Sequence, residues 1–352
     1  MIDFRYHLVS IVAVFLALAI GIVIGATALT PKVEAGLDRV SSHEEREITQ
    51  DRTEIQNLKN LNSADQAFDQ AASPILLHNL LAGQKVVLVT APGSDGTTIN
   101  GITSAVQQAG AKLTGQVAVQ PAFFGTTNST EDSLSDLATR VAPPGVTPDD
   151  KTGQPDPITG IAGQQAAARV IAAALTTTVS PGSTSSADST DLPASQIKTI
   201  LNGFSQQGYL QVTPASGSST LAQATLAVVV IPANPPAAGD TDPANLALIS
   251  LADQLRMASR GVVVAGSWPG SGAGSAIDEL IYGSTGIQLS SVDDANYEDG
   301  QETVVQALSY QLLGHKPAAY GYYAAAVPTP APTPSPTPSP TPTSTPTHTS
   351  RG

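Results

Sequence analysis

Lys85-Val-Val-Leu-Val-Thr90, Ala91-Pro-Gly-Ser-Asp-Gly96, and the run from there to Val119 decide the fold. The first piece is a short β-branched apolar run, as expected of a buried parallel strand. The second is a turn-forming loop. Ile99, Ile102, Val106 and Ala109 then recur at helical spacing until Gly110, and Lys112–Val119 reads as a second strand. Strand, loop, helix and strand within about 35 residues form the unit from which parallel sheets are built.

The same alternation returns downstream. Gln164–Leu175 and Ala194–Gln207 read as helices, the latter stopped by Gly208 before a strand at Tyr209–Val212. Ala227–Ile231 and Gly261–Ala265 read as strands flanking a helix at Asn245–Ser259. A short strand near Gln288–Val292 and a helix at Gln301–Leu313 complete the set. Ser73-Pro74 predicts the start of a separate short helix over the following leucines. Pro143–Pro157 and Val179–Pro193 have the polar, Gly- and Pro-containing composition of surface loops. The expected fold class is α/β, an open and mostly parallel sheet covered on both faces.

Working outward, the flanks differ from this middle. Leu8–Leu29 holds no charged residue. As a helix its 22 residues span about 33 Å, matching a hydrocarbon core of roughly 30 Å. A cleaved signal peptide is the rival reading, because Ala26-Thr27-Ala28 has the form of a cleavage site. Retention is favoured: the stretch exceeds the usual apolar region of about 7–15 residues, and Asp3 stands beside Arg5. Gly21 and Gly25 have a spacing that lets two membrane helices approach.

Lys32–Gln70 follows, polar and without glycine after Gly36. Leu37, Ile48, Ile55 and Leu58 lie on one imperfect heptad track, interrupted by Glu44 and Asp51. A helical stalk fits, either as a coiled coil or as a single solvated helix. At the other end, Pro328–Pro346 places nine prolines at nearly alternating positions among Thr, Ser and Ala. Such a segment favours extended polyproline II. The expected organisation is a transmembrane anchor at 1–31, a stalk at 32–72, an extracytoplasmic α/β domain at 73–323 and a disordered tail at 324–352.

Composition narrows the function. Net charge is −13 and only 16 residues are basic, which argues against nucleic acid, whose phosphates need clustered Lys and Arg. The absence of cysteine excludes disulfides, thiolate metal sites and a cysteine nucleophile. The histidines, His7, His43, His78, His315 and His348, share no ligating spacing. Copper(I) prefers soft sulfur, and Met1 and Met257 are the two sulfur-bearing residues. Asp293-Asp294 with Glu298 and Asp299 is the densest carboxylate group and is expected to be a polar turn. The glycine-rich loops Ala91–Gly96 and Ser267–Gly274 read as tight turns, with anion binding by backbone N–H groups as the alternative. Neither has the ending of a nucleotide-binding loop. No catalytic residue is expected, and no residue is singled out as a cofactor or metal ligand.

The opening Met1-Ile-Asp-Phe-Arg-Tyr-His-Leu-Val-Ser, continuing through Gly21-Ile-Val-Ile-Gly25, resembles the actinobacterial copper transporter family of MctB-like envelope proteins. Ala82-Gly-Gln-Lys-Val-Val, Ser291-Val-Asp-Asp294 and Gly300-Gln-Glu-Thr-Val-Val-Gln-Ala-Leu308 extend the likeness, which covers about residues 1–323. The resemblance implies a part in copper export or an outer-membrane channel, with copper as the transported ion. The residues themselves point elsewhere for a pore: a membrane barrel needs repeated ten-residue alternation, and this chain offers the strands of a buried α/β sheet instead. Two functions therefore stand open, copper efflux or resistance and a structural scaffold of the envelope. An enzyme using the glycine-rich crevice is least favoured. The expected partners are membrane lipid, copper ion, and a second copy or other envelope proteins.

Overall fold

The computed structural model describes residues 4–148, 158–178, 191–233 and 242–323, with side chains of the first helix placed over 6–25 and from 46 onward. The proline-rich tail and most of both long loops lie outside these residues. The chain divides into two compact units, Met1–Ala67 and Phe68–Gly352.

Helix α1 runs over Phe4–Leu76, 73 residues. Its Tyr6–Gly25 segment has a mean hydropathy of 2.9, long and apolar enough to cross a membrane. Further along, side-chain bonds span single turns, as from Gln56 to Asn60 at 3.0 Å and from Gln66 to Asn62 at 2.9 Å. Ile48, Ile55 and Leu58 are exposed along it. The structure corrects the expected helix start at Ser73-Pro74. Pro74 lies in the last turn of α1, and the leucines after it form turns, with Asn79 at φ +59°. Proline there removes one backbone donor and crowds the carbonyl of residue 70, and the helix ends two residues later.

The second unit is built on seven strands: β1 (Lys85–Thr90), β2 (Lys112–Val119), β3 (Leu210–Pro214), β4 (Leu226–Val230), β5 (Gly261–Ala265), β6 (Ser290–Val292) and β7 (Ala319–Tyr320). Their order is β3-β2-β1-β4-β5-β6-β7, parallel throughout except for β3, which runs antiparallel to β2 at the edge. Successive residues serve opposite faces. Val87 and Val89 enter one core while Val86 and Leu88 enter the other, and β4 and β5 divide in the same way. Burial on both faces is why these strands read as continuous apolar runs.

One face is covered by α2 (Gly96–Gln108) and α8 (Glu298–Leu312). On the other lie α3 (Asn128–Val141), α4 (Ala162–Leu175), α5 (Ala194–Gln206), α6 (Pro243–Met257) and α7 (Ala276–Tyr282). Side-chain caps start several of them: Asp95 accepts from Thr98 N, Thr127 from Thr130 N, Asp242 from Ala244 N and Ser275 from Asp278 N. Each satisfies a donor that the first helical turn leaves without an internal partner.

Strand order reverses between β1 and β4, so the topological switch point lies above the carboxyl ends of Thr90 and Val230. In open α/β sheets that crevice is where ligands bind. Here the chain fills it with its own bonds. Ala91 N donates to Val230 O at 2.9 Å, Ser94 Oγ donates to the same carbonyl at 2.9 Å, and Ala233 N donates to Gly93 O at 3.1 Å. The carboxyl edge continues in the loops after β5, β6 and β7.

Candidate functional site: an acidic and aromatic edge

The loop after β5, Gly266–Ser275, is tied down by its own donors. Ser271 N donates to Ser267 O, Gly272 N to Pro269 O and Gly274 N to the Asp278 carboxylate at 2.9 Å. Asn296 grips its front from both sides, accepting from Trp268 N at 2.7 Å and donating to Trp268 O at 3.2 Å. Gly270 packs so tightly on Ala233 O that a Cβ would sit 1.5 Å from that oxygen. Tight turning, one of the two sequence readings, thus accounts for this glycine-rich loop. The neighbouring carboxylates of Asp278, Asp293, Asp294 and Asp299 make the edge unfavourable for an anion.

The loop after β6 carries the carboxylate group that sequence reasoning places in a polar turn. A turn does precede α8 there, and what the structure adds is burial: Asp293 has no exposed surface and Asp294 is 6% exposed. The Asp293 carboxylate accepts from Tyr322 N at 2.8 Å and from Tyr323 N at 2.9 Å. It thereby hooks the segment after β7 back onto β6. Gly321, at φ +117°, makes the hook possible, since a Cβ there would overlap the Asp293 carboxyl. Asp293 is buried because backbone donors about 30 residues away replace its water.

Asp294 has no such compensation. Its Oδ1 is buried without a hydrogen-bond partner. Burial first, then the charges of Asp299 and Asp293, push its carboxyl up from 3.8 to about 7. A second buried carboxyl lies in the second turn of α8. Glu302 of α8 is 6% exposed, hydrogen-bonds Ser73, and keeps Oε1 unpartnered. Burial raises its pKa, and Asp69, Glu298 and Asp299 add to the rise while the Ser73 bond opposes it. Glu302 borders a cavity of about 30 Å³ with Ser73, Gly101, Ser104 and Gln108. That is room for one water.

The aromatic side chains of this edge form one row. Ring centroids step from Tyr297 to Tyr322 (6.2 Å), to Trp268 (6.2 Å), to Tyr323 (6.2 Å) and to Tyr282 (5.8 Å). The Tyr323 hydroxyl donates to Asp278 at 2.7 Å, and the Tyr322 hydroxyl bonds Asp299. Burial, followed by the Asp299 and Asp294 charges, raises the Tyr322 pKa. Tyr282 and Tyr322 remain more than half exposed. Sequence reasoning passes over this row, although a chain with 8 tyrosines and 1 tryptophan in 352 residues supplies the signal by concentrating five of them here.

Elsewhere, an open pocket of about 630 Å³ is lined by Arg169, Gln196, Gln254, Met257, Asp191 and Leu192, among others. Met257 is 53% exposed there. Arg169 donates to Pro148 O at 2.6 Å. His78 is exposed and bonded to Asn79 at 2.8 Å, and His315 lies 4.9 Å from the Tyr310 ring. Among the described residues, no three His, Asp or Glu side chains converge in a metal-holding group. Among the described residues, Asp293 and Asp299 lie near enough to act on the Asp294 charge, whereas His78, His315 and Met257 have separate neighbours.

Residues 1–330 match the family described as "Copper transport outer membrane protein, MctB". The chain belongs to the MctB family. Relatives named copper transporter MctB from Mycobacterium tuberculosis and Mycobacterium bovis are 26% identical over 324 residues, 91% of this chain and 96% of theirs. The Mycobacterium leprae relative of the same name is 26% identical over 323 residues, with the same coverage. The family resemblance carried by the N-terminal residues thus extends across both units. The family match covers the whole edge described above and ends within the first residues of the proline-rich stretch.

Proposed function

We propose that this MctB family member is a membrane-anchored envelope protein that takes part in copper efflux or copper resistance, with its α/β domain outside the cytoplasm. The observation that carries the reading is the match to proteins named copper transporters along nearly their full length. Tyr6–Gly25 supplies the anchor, the remainder of α1 the stalk and residues after it the working domain. The described sheet is mostly parallel and its central strands are buried on both faces, whereas a membrane barrel needs closed antiparallel strands with alternating apolar and polar residues. A role beside a copper path, rather than as the path, fits that architecture better.

Deleting the gene in its own host is expected to raise cell-associated copper during growth in copper-supplemented medium. Returning the full-length chain lowers it again. Unchanged copper content after deletion would sink the proposal.

A scaffolding role is the second reading, favoured by the length of α1 and by the rigid aromatic edge. It gives a different result in that experiment: copper content stays level, while crosslinking captures envelope proteins with or without copper.

A further inference from the structure

We propose that the aromatic row Tyr297–Tyr322–Trp268–Tyr323–Tyr282 is a docking platform for a polyproline II strand, and that its occupant is this chain's own proline-rich segment, Pro328–Pro346. Proline-rich strands bind aromatic-lined grooves because the strand is already extended and loses little entropy on docking. A platform for such a strand needs adjacent rings held still. Here Asn296 clamps the Trp268 backbone, Asp293 fixes Tyr322 and Tyr323 through their N–H groups, and Asp299 and Asp278 hold the two hydroxyls. Little ordering remains to be done when a ligand arrives.

Two observations point to the tail as occupant. Tyr323 is itself in the row, and the first proline follows only five residues later, so Ala324–Val327 is enough chain for a reversal. Length also fits: the four ring steps span at most about 24 Å, which polyproline II covers in about eight residues at ~3.1 Å each. Charge does not oppose docking. Residues 328–346 contain no Asp or Glu, so the segment brings no negative charge to an acidic edge. Asp278, Asp294 and Asp299 flank the rings. A linker this short gives an effective concentration on the order of millimolar, so even a weak contact is populated. The alternating prolines repeat every two residues, which supplies several equivalent registers.

Trp268 is the one tryptophan in the chain, so its fluorescence reads the platform directly. The full-length protein in detergent micelles is compared with a form ending at Val327. In the full chain Trp268 emission is expected at shorter wavelength and with weaker quenching by acrylamide. A synthetic peptide of residues 328–346, added to the shortened protein, restores both, and Tyr322→Ala in the full chain loses both. Because Tyr322 is more than half exposed, that variant keeps its fold, and circular dichroism of both variants checks this.

Identical emission and quenching in the full and shortened forms, with no response to the peptide, overturns the proposal. So does protection that rises with protein concentration, which would assign the row to a second copy. A Trp268 response to chito-oligosaccharide but not to the peptide would make the row a sugar-stacking surface instead, and also overturns it. None of these readouts depends on copper, so failure here leaves the copper proposal standing.

Discussion

Asp294→Asn is expected to make the protein more stable than the parent at pH 8 and to leave it nearly unchanged at pH 3. The carboxyl of Asp294 ionises near 3.8 in water but near 7 in the fold, chiefly because it is buried and secondarily because Asp299 and Asp293 stand close. Below about pH 3 the group is protonated in both states and is neutral to stability. As pH rises the unfolded chain releases the proton first, so the fold loses stability through the window from about 4 to 7. Above that window the loss is complete. A displacement of this size corresponds to about 4 kcal/mol, as an upper figure. Asparagine keeps the shape and removes the charge. Urea denaturation at the two pH values checks the result, and an equal gain at both would contradict the origin assigned to it. Glu302 is raised in the same direction, so the parent loses stability over the same rise in pH for two reasons.

Asp293→Ala should act in the opposite sense. Its carboxylate is fully buried and accepts from two consecutive backbone N–H groups, those of Tyr322 and Tyr323. Hydrogen bonds to a charged acceptor contribute about 1.5–3 kcal/mol each, so losing both destabilises by about 3–6 kcal/mol. The hook that holds the last two tyrosines against Trp268 would open as well. Urea denaturation measures the first effect, and a red shift of Trp268 emission under native conditions reports the second. Parent-like stability with unshifted emission would mean that Asp293 does not organise this edge. Asp294 and Asp293 are neighbours in sequence with opposite effects, and the difference is partners. One carboxylate has two backbone donors, whereas the other has an oxygen with none.

The contrast also marks where sequence reading reaches its limit. β1 and β5 stand at their expected bounds because short valine-rich runs between glycine-marked turns leave few alternatives, and β2 does so because Gly110 closes the helix just before it. α3 escapes notice because Asn128–Val141 is polar on most of its surface and buries only Leu134, Leu137 and Ala138. Its one local sign is the Thr127 cap. α7 and β7, at seven and two residues, are too short for periodicity to register. The antiparallel run of β3 depends on its pairing with β2, which its own residues do not encode.

At the candidate site the same rule applies. The four carboxylates at 293–299 are visible in sequence, but their burial depends on donors and rings that arrive from β7 and from the loop after β5. Tyr322 and Tyr323 follow the last predicted helix by about ten residues, where alternation of elements has nothing further to say. Copper enters from the resemblance of the N-terminal residues and from the family match, not from a ligand set. The chain offers no thiolate, and Met257 is the one thioether among the described residues.

All functional readings rest on the tether. An apolar segment of this length prefers hydrocarbon to water and, if retained, holds the α/β domain at a membrane surface. The most direct measurement is protease digestion of intact spheroplasts from the native host, followed by membrane fractionation and immunoblotting against both ends of the chain. The account predicts that the α/β domain is cleaved from outside while a short N-terminal fragment containing residues 6–25 sediments with the membrane. A domain protected until the cells are broken would contradict the assigned side. Intact chain lacking its first 25 residues and recovered in the wash would contradict the tether itself.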